Sequence, residues 1–254
     1  MMNIVFIEKE KKLINRVEIK TEAKTHLRGN WKYPILITLV TLVLSTLFNF
    51  RTSMSYVTGI RLSATDEVFS FIWQFFAFII SVASAFFYLR FIREREAANF
   101  QTFLDGFNLF WKATLTFLLL MLRLIGWTLL LIIPGIIKAF AYSQVHFIIA
   151  DYPDIKITDA FRLSNLMTRG YKLDIFVFYL SFLGWILLTL ITFGIANIFV
   201  SPYMDTAATK LYLHLKENAV QANLIDTNTD EKESSEEINK EQKDEGEAKS
   251  ETEV

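Results

Sequence analysis

The stretch ATLTFLLLMLRLIGWTLLLIIPGIIKAFAYSQVHFIIA, residues 113–150, is a near-continuous apolar run, broken only by Arg123, Lys138 and the step Pro134-Gly135. It is too long for a buried strand or an ordinary core helix. A helix that crosses a bilayer needs about 20 mostly apolar residues, so the run fits two spans joined by a tight turn. The fold class that follows is all-α: a polytopic transmembrane helix bundle.

Composition agrees. Hydrophobic residues make up 52% of the 254, and there are 24 Phe, a residue suited to lipid-facing surfaces. The net charge of −1 hides an asymmetry. From Asp226 to Val254 there are 12 acids and 4 bases, a net of −8, which leaves +7 on the remaining 225 residues. The picture is a basic membrane body with an acidic tail. The absence of cysteine excludes disulfides, thiolate metal sites and thiol nucleophiles. The three histidines, His26, His146 and His214, hold no helical spacing that would grip a metal. A cleaved leader is not expected, because the first apolar run starts near Pro34 behind a long charged segment and continues as a full span.

Residues 1–33 form a basic leader in which Ile19, Ala23 and Leu27 recur at helical spacing beside Lys20, Lys24 and Arg28. This pattern predicts an amphipathic helix on the membrane surface, with a solvated leader as the alternative. The transmembrane domain is expected over 34–216, with spans at about 34–50, 68–92, 109–133, 135–150, 171–193 and 195–215. Arg51–Glu67 reads as a polar loop, and 100–107 as a short amphipathic stretch. Thr158 is placed to cap a second amphipathic helix with Ala160, Phe161, Leu163, Ser164 and Met167 on its inner face. The split of 171–215 at Gly194 competes with one long span followed by a cytoplasmic helix. Residues 217–254 have almost nothing to bury and are expected to be a disordered acidic tail.

Basic residues set the orientation. With the N-terminus inside, the cytoplasmic side carries 8 Lys/Arg before the first span, 4 between the second and third, 4 between the fourth and fifth and 6 from Lys210 onward. The outer side carries only Arg51 and Arg61. Six spans with both ends inside satisfy the rule; five would put the C-terminal bases outside. Three spans also enter behind an aromatic–lysine pair, Trp31-Lys32, Trp111-Lys112 and Tyr171-Lys172. Gly126-Trp127 and Gly184-Trp185 follow in the second and third. This suggests a repeated unit of surface helix, anchor and helical hairpin, although Trp and Lys mark many cytoplasmic interfaces.

The chain resembles an uncharacterised family of bacterial membrane proteins, the domain of unknown function 975 family. The resemblance rests on Leu-Leu-Ile-Ile-Pro134-Gly135-Ile-Ile-Lys138-Ala-Phe-Ala-Tyr142-Ser143, on Asp151-Tyr-Pro153, and on Ser164, Met167, Gly170-Tyr-Lys172 and Phe176. It continues through Gly184-Trp185 and Pro202-Tyr203 to Thr206 and Tyr212. It covers roughly residues 98–216 and implies a multi-pass protein of the bacterial plasma membrane. It implies no activity. Arg123, Asp205 and the acidic tail fall outside the family pattern.

Arg123 lies about eleven residues past Lys112, roughly 17 Å deep, where an exposed charge costs about 3 kcal/mol or more. Asp205 lies at comparable depth if the sixth span forms. The two are a candidate ion pair, with a substrate or proton path and a snorkelling Arg123 as the other readings. Gln74, Tyr142, Ser143, His146 and Thr206 are a candidate polar lining, either interhelical hydrogen bonds or the wall of a wet cavity. Pro134-Gly135 reads as the outer turn of a hairpin, or more sharply as a broken helix. Lys138 is expected to snorkel. Asp151-Tyr-Pro-Asp154 reads as turn and cap chemistry, or as a cation site at headgroup level.

No phosphate-binding Gly loop, His-Glu zinc helix or Gly-x-Ser-x-Gly elbow is present. A non-enzymatic protein without cofactor is expected. It would act through protein partners or through anionic lipid headgroups on its basic inner face, and not on nucleic acid. The alternative is a small permease or exporter built on Arg123, Ser143, His146 and Asp205.

Overall fold

The computed structural model describes residues 14–58, 64–94, 98–130 and 132–222, and among these there are helices and no strands. In chain order they are α1 (Arg16–Leu27), α2 (Lys32–Thr58), α3 (Ala64–Arg93), α4 (Phe100–Asp105), a 3-10 turn (Gly106–Leu109), α5 (Phe110–Leu130), α6 (Ile132–Ala141), α7 (Val145–Asp151), α8 (Ile157–Met167), α9 (Lys172–Leu180), α10 (Leu183–Ile191) and α11 (Asn197–Gln221). Each aromatic–lysine pair stands just after a short helix and a turn, at the starts of α2, α5 and α9.

Among the described residues four segments are long and apolar enough to cross a membrane: Phe71–Arg93, Phe100–Leu129, Ile133–Asp151 and Lys172–Ile191. The pair α1 and the first part of α2 makes a fifth if taken together, across a bend of 101°. These helices mark the chain as a membrane protein. Its surface agrees: α10 buries none of its residues, and Leu122, Leu129, Leu190 and Ile191 stand open on α5 and α10. Such a surface is a liability in water and the normal outer face in lipid.

α3 is the axis of the core. Ile79, Val82, Ala83, Phe87, Tyr88, Leu89 and Phe91 are all buried, because α2, α5, α7 and α11 close around it. The 3-10 turn comes so close to α3 that a Cβ on Gly106 would sit 2.6 Å from the Ala83 Cα. α11 is the other internal helix. It is long enough to span but is not among the apolar candidates, since it carries Asp205, Lys210, His214 and Lys216. It needs no apolar exterior where α1, α2, α3, α8 and α10 cover it.

The amphipathic leader forms α1, with the Asn15 side chain accepting from the Val17 and Glu18 N–H groups. Its apolar face is not turned to lipid. Ile19, Ala23 and Leu27 are buried in the protein, with α1 laid along α11. Glu22 pairs with Lys210 at 3.1 Å and approaches His214 at 3.9 Å, and Lys20 donates to the Ser181 carbonyl. Protein contacts on both the apolar and the charged side outcompete the surface.

Other boundaries move. Helix continues from α2 to Thr58 and resumes at Ala64, so both ends of the expected 51–67 loop are helical. Pro134 and Gly135 are not the hairpin turn but lie in the first turn of α6. Proline is tolerated there because its missing N–H has no intrahelical partner to lose. Gly135 serves close packing instead: a Cβ would fall 2.7 Å from Thr128 Oγ1 and 3.2 Å from the Thr128 Cα. α8 begins one residue before Thr158, so Thr158 is no cap. Of its expected inner face, Ala160, Phe161, Ser164 and Met167 are buried and Leu163 is partly buried. The split at Gly194 is real, with Gly194 at φ 88° and its N–H on the Thr189 carbonyl. A further break at Ser181-Phe182 separates α9 from α10. α11 runs to Gln221, past the expected start of the tail at 217. The tail from 223 lies outside the described residues.

Candidate functional site

Asp151 closes α7, and its side chain is only 2% exposed. Arg93, at the end of α3, reaches one oxygen at 2.6 Å. Lys216 and the Tyr212 hydroxyl, both on α11, donate to the other at 2.8 Å each. Lys112 donates to the Pro153 carbonyl. The Asp151-Tyr-Pro153 motif is therefore a clamp on α3, α5, α7 and α11. Its cations are the protein's own.

Further along α3, a cavity of about 240 Å³ lies between α2, α3, α7 and α11, room for several waters at about 30 Å³ each. Its polar wall comes from Thr41 of α2, from Ser81, Ser84 and Tyr88 of α3, from His146 of α7, and from Asp205 and Thr209 of α11. Asp205 accepts one hydrogen bond, at 3.3 Å from Ser201 one turn earlier, and no cation lies within ion-pair distance among the described residues. The Tyr88 and Thr38 hydroxyls are closed off from solvent and face each other outside good hydrogen-bond geometry. Buried polar groups left in this state ask for water or a ligand. A second cavity, about 230 Å³, shares Thr41, Ala77 and Ile80 with the first and continues to Ser45, Trp73 and Asn197. Together they trace one polar seam between α2, α3 and α11.

The structure does not bring Arg123 and Asp205 together. Asp205 faces the cavity, whereas the Arg123 guanidinium lies over the Phe161 ring at 4.2 Å and 6.0 Å from Tyr142. Lys138 does not simply snorkel; it sits 4.8 Å from the Trp127 ring and 5.9 Å from Tyr142. Of the expected polar lining, only His146 reaches the cavity. Ser143 donates to the Phe140 carbonyl and Thr206 to that of Pro202, so both hydroxyls are satisfied locally. Gln74 is exposed on α3. Tyr142 packs edge-on against Phe161. Tyr203 meets Phe182 and Trp185, Pro202 is buried within α11, Gly170 holds φ 85°, and Gly184 has open space around it.

The α3 wall has a signal of its own in the sequence. Ala77, Ser81, Ser84 and Tyr88 fall at i, i+4, i+7 and i+11, a stripe of small and hydroxylated residues on an otherwise apolar helix. Thr41 and Ser45 on α2, and Asp205 and Thr209 on α11, repeat it at i, i+4. No group of three or more His, Cys, Asp or Glu suited to a metal occurs among the described residues.

The family described as "Protein of unknown function (DUF975)" matches this chain over residues 13–138 and 124–219. No curated protein and no solved structure matches it.

Proposed function

The chain belongs to the DUF975 family of proteins of unknown function, and on that premise we propose that it is a non-enzymatic permease of the bacterial plasma membrane for a small polar solute. The observation that carries this reading is the cavity bearing Asp205 and His146. A protein that only scaffolds others needs a sealed core, and hydroxyls, an imidazole and a carboxylate around an internal space are a costly way to build one. In this reading α2 and α11 cross the membrane beside the four apolar segments, giving six spans. Both ends lie inside, as the basic residues favour. The acidic tail then faces the cytoplasm, open to a basic protein partner, and the inner face holds anionic headgroups.

The natural absence of cysteine gives a direct test. Single cysteines at Ser84 and Thr209 line the cavity; one at Leu118, on the outer face of α5, is the lipid control. Reaction of the first two with a membrane-impermeant maleimide, and none at the third, is the expected result. Failure of both to react in folded, inserted protein means a closed core and ends the transport reading.

A further inference from the structure

The cavity between α2, α3, α7 and α11 carries one acid and, among the described residues, no lysine or arginine. Ser201 donates to one oxygen of Asp205 at 3.3 Å, and no hydrogen bond reaches the other from the described residues. His146 has no acid within ion-pair distance among them, so nothing there favours a second proton on its ring.

The hydroxyls on the wall are spent in one direction. Thr41 donates to the Thr38 carbonyl at 3.0 Å, Ser81 to that of Phe78 at 2.7 Å and Thr209 to that of Asp205 at 2.8 Å. A hydroxyl has one hydrogen and two lone pairs, so a group that gives its hydrogen to its own helix has only lone pairs left to offer. Three helices therefore bring to one space acceptors without hydrogens and a carboxylate without a counter-ion. An anion is repelled there, and a neutral acceptor finds few donors. Asp205 could be neutralised by a proton alone, but a proton needs neither the lone pairs nor the room. The space of about 240 Å³ is several times the share of one water, about 30 Å³. Ile80 and Phe147 line the rest of the wall with apolar surface.

We propose that the cavity binds a small organic ammonium ion, a protonated primary amine on a chain of a few carbons. Its charge pairs with Asp205, its N–H groups donate to the carboxylate and to the hydroxyls of Thr41, Ser81 and Thr209, and its carbons lie against Ile80 and Phe147. A bare alkali ion shares the charge but leaves the apolar wall and much of the space unused. The proposal names the substrate class of the transport reading and rests on that reading for this role; the binding itself does not need it.

The test is thermal melting of the full chain in an uncharged detergent and an amine-free buffer, with ionic strength held by potassium chloride. The probes are n-butylammonium, n-butanol, butyrate and sodium. A saturating rise of the melting midpoint is expected with n-butylammonium and with none of the others. Its half-saturating concentration should rise about tenfold or more in D205N, through the loss of charged hydrogen bonds. It should stay unchanged in E18Q, which removes an exposed acid on α1. No rise with n-butylammonium, an equal one with sodium or n-butanol, or an unchanged response in D205N overturns the proposal. If D205N does not fold, T41V/T209V replaces it: a severalfold weaker response supports the site, and an unchanged one overturns it. The two readings fail separately. Saturable n-butylammonium binding in a chain whose cavity cysteines resist the bulkier maleimide supports this proposal and ends only transport. Labelled cysteines without such binding overturn this proposal and leave transport of another solute standing.

Discussion

Arg93 and Asp151 meet at 2.6 Å, joining the ends of two helices that are 58 residues apart in the chain. The carboxylate is buried while the guanidinium is 45% exposed, so the two partners are unequal. Asp151→Asn leaves Arg93 and Lys216 facing each other without their shared anion. It should cost about 3 kcal/mol. Arg93→Gln leaves Asp151 with Lys216 and Tyr212, and solvent already screens the arginine, so its cost should be near 1 kcal/mol. Melting midpoints in detergent check the ranking; an arginine variant as damaging as the aspartate variant contradicts it.

Gly106 and Gly126 separate packing from helix propensity. Gly106→Ala drives a methyl into the α3 backbone at Ala83, whereas a Cβ on Gly126 meets nothing within 4 Å. The first should destabilise by about 1–3 kcal/mol. The second should be neutral or stabilising by up to about 1 kcal/mol. The same melting experiment decides, and equal effects would refute the close approach.

Glu22 tests how α1 is held. Its contacts to Lys210 and His214 are partly exposed, so Glu22→Gln should cost less than about 1 kcal/mol globally. Its effect should be local. Hydrogen exchange is expected to speed up across residues 16–27 while the core of α3 keeps its protection. Uniform loss of protection would mean that α1 does not open separately.

Asp205 should show a conflict between stability and function. With one long hydrogen bond and no cation beside it among the described residues, its charge is poorly compensated. Asp205→Asn should melt at or above the wild-type midpoint. Transport, once a solute is found, should fall. A clear loss of stability would instead assign Asp205 a structural role.

Filling the cavity gives a fifth contrast. Ser84→Phe places a ring in a space of about 240 Å³. It should block maleimide reaction of a cysteine at Thr209 while leaving α3 folded. Continued labelling at 209 would mean that water reaches that residue by a route other than the cavity.

Helix existence and the order of turns were legible because they depend on local patterns. The apolar runs gave α3, α5 and α9–α10, Gly194 gave the last turn, and the spacing of Ile19, Ala23 and Leu27 gave the buried face of α1. What covers each face was not legible. α1 reads as a surface helix because nothing near it in the chain can cover it; its cover lies about 190 residues on, in α11. Pro134-Gly135 misleads for a related reason. The pair is compatible with a turn and with the first turn of a helix, and only Thr128 across the hairpin decides between them. Arg123 and Asp205 were matched on depth, but depth along the membrane normal says nothing about position around the bundle, and the two charges face different neighbours.

The pairing of α1 with α11 also orders the life of the nascent chain. α1 leaves the ribosome before the helix that buries Ile19, Ala23 and Leu27 has been made. Until then its apolar face has only the membrane interface to rest on, which is the location its amphipathic pattern describes. The order of synthesis therefore predicts that α1 rests at the membrane surface before it docks onto α11.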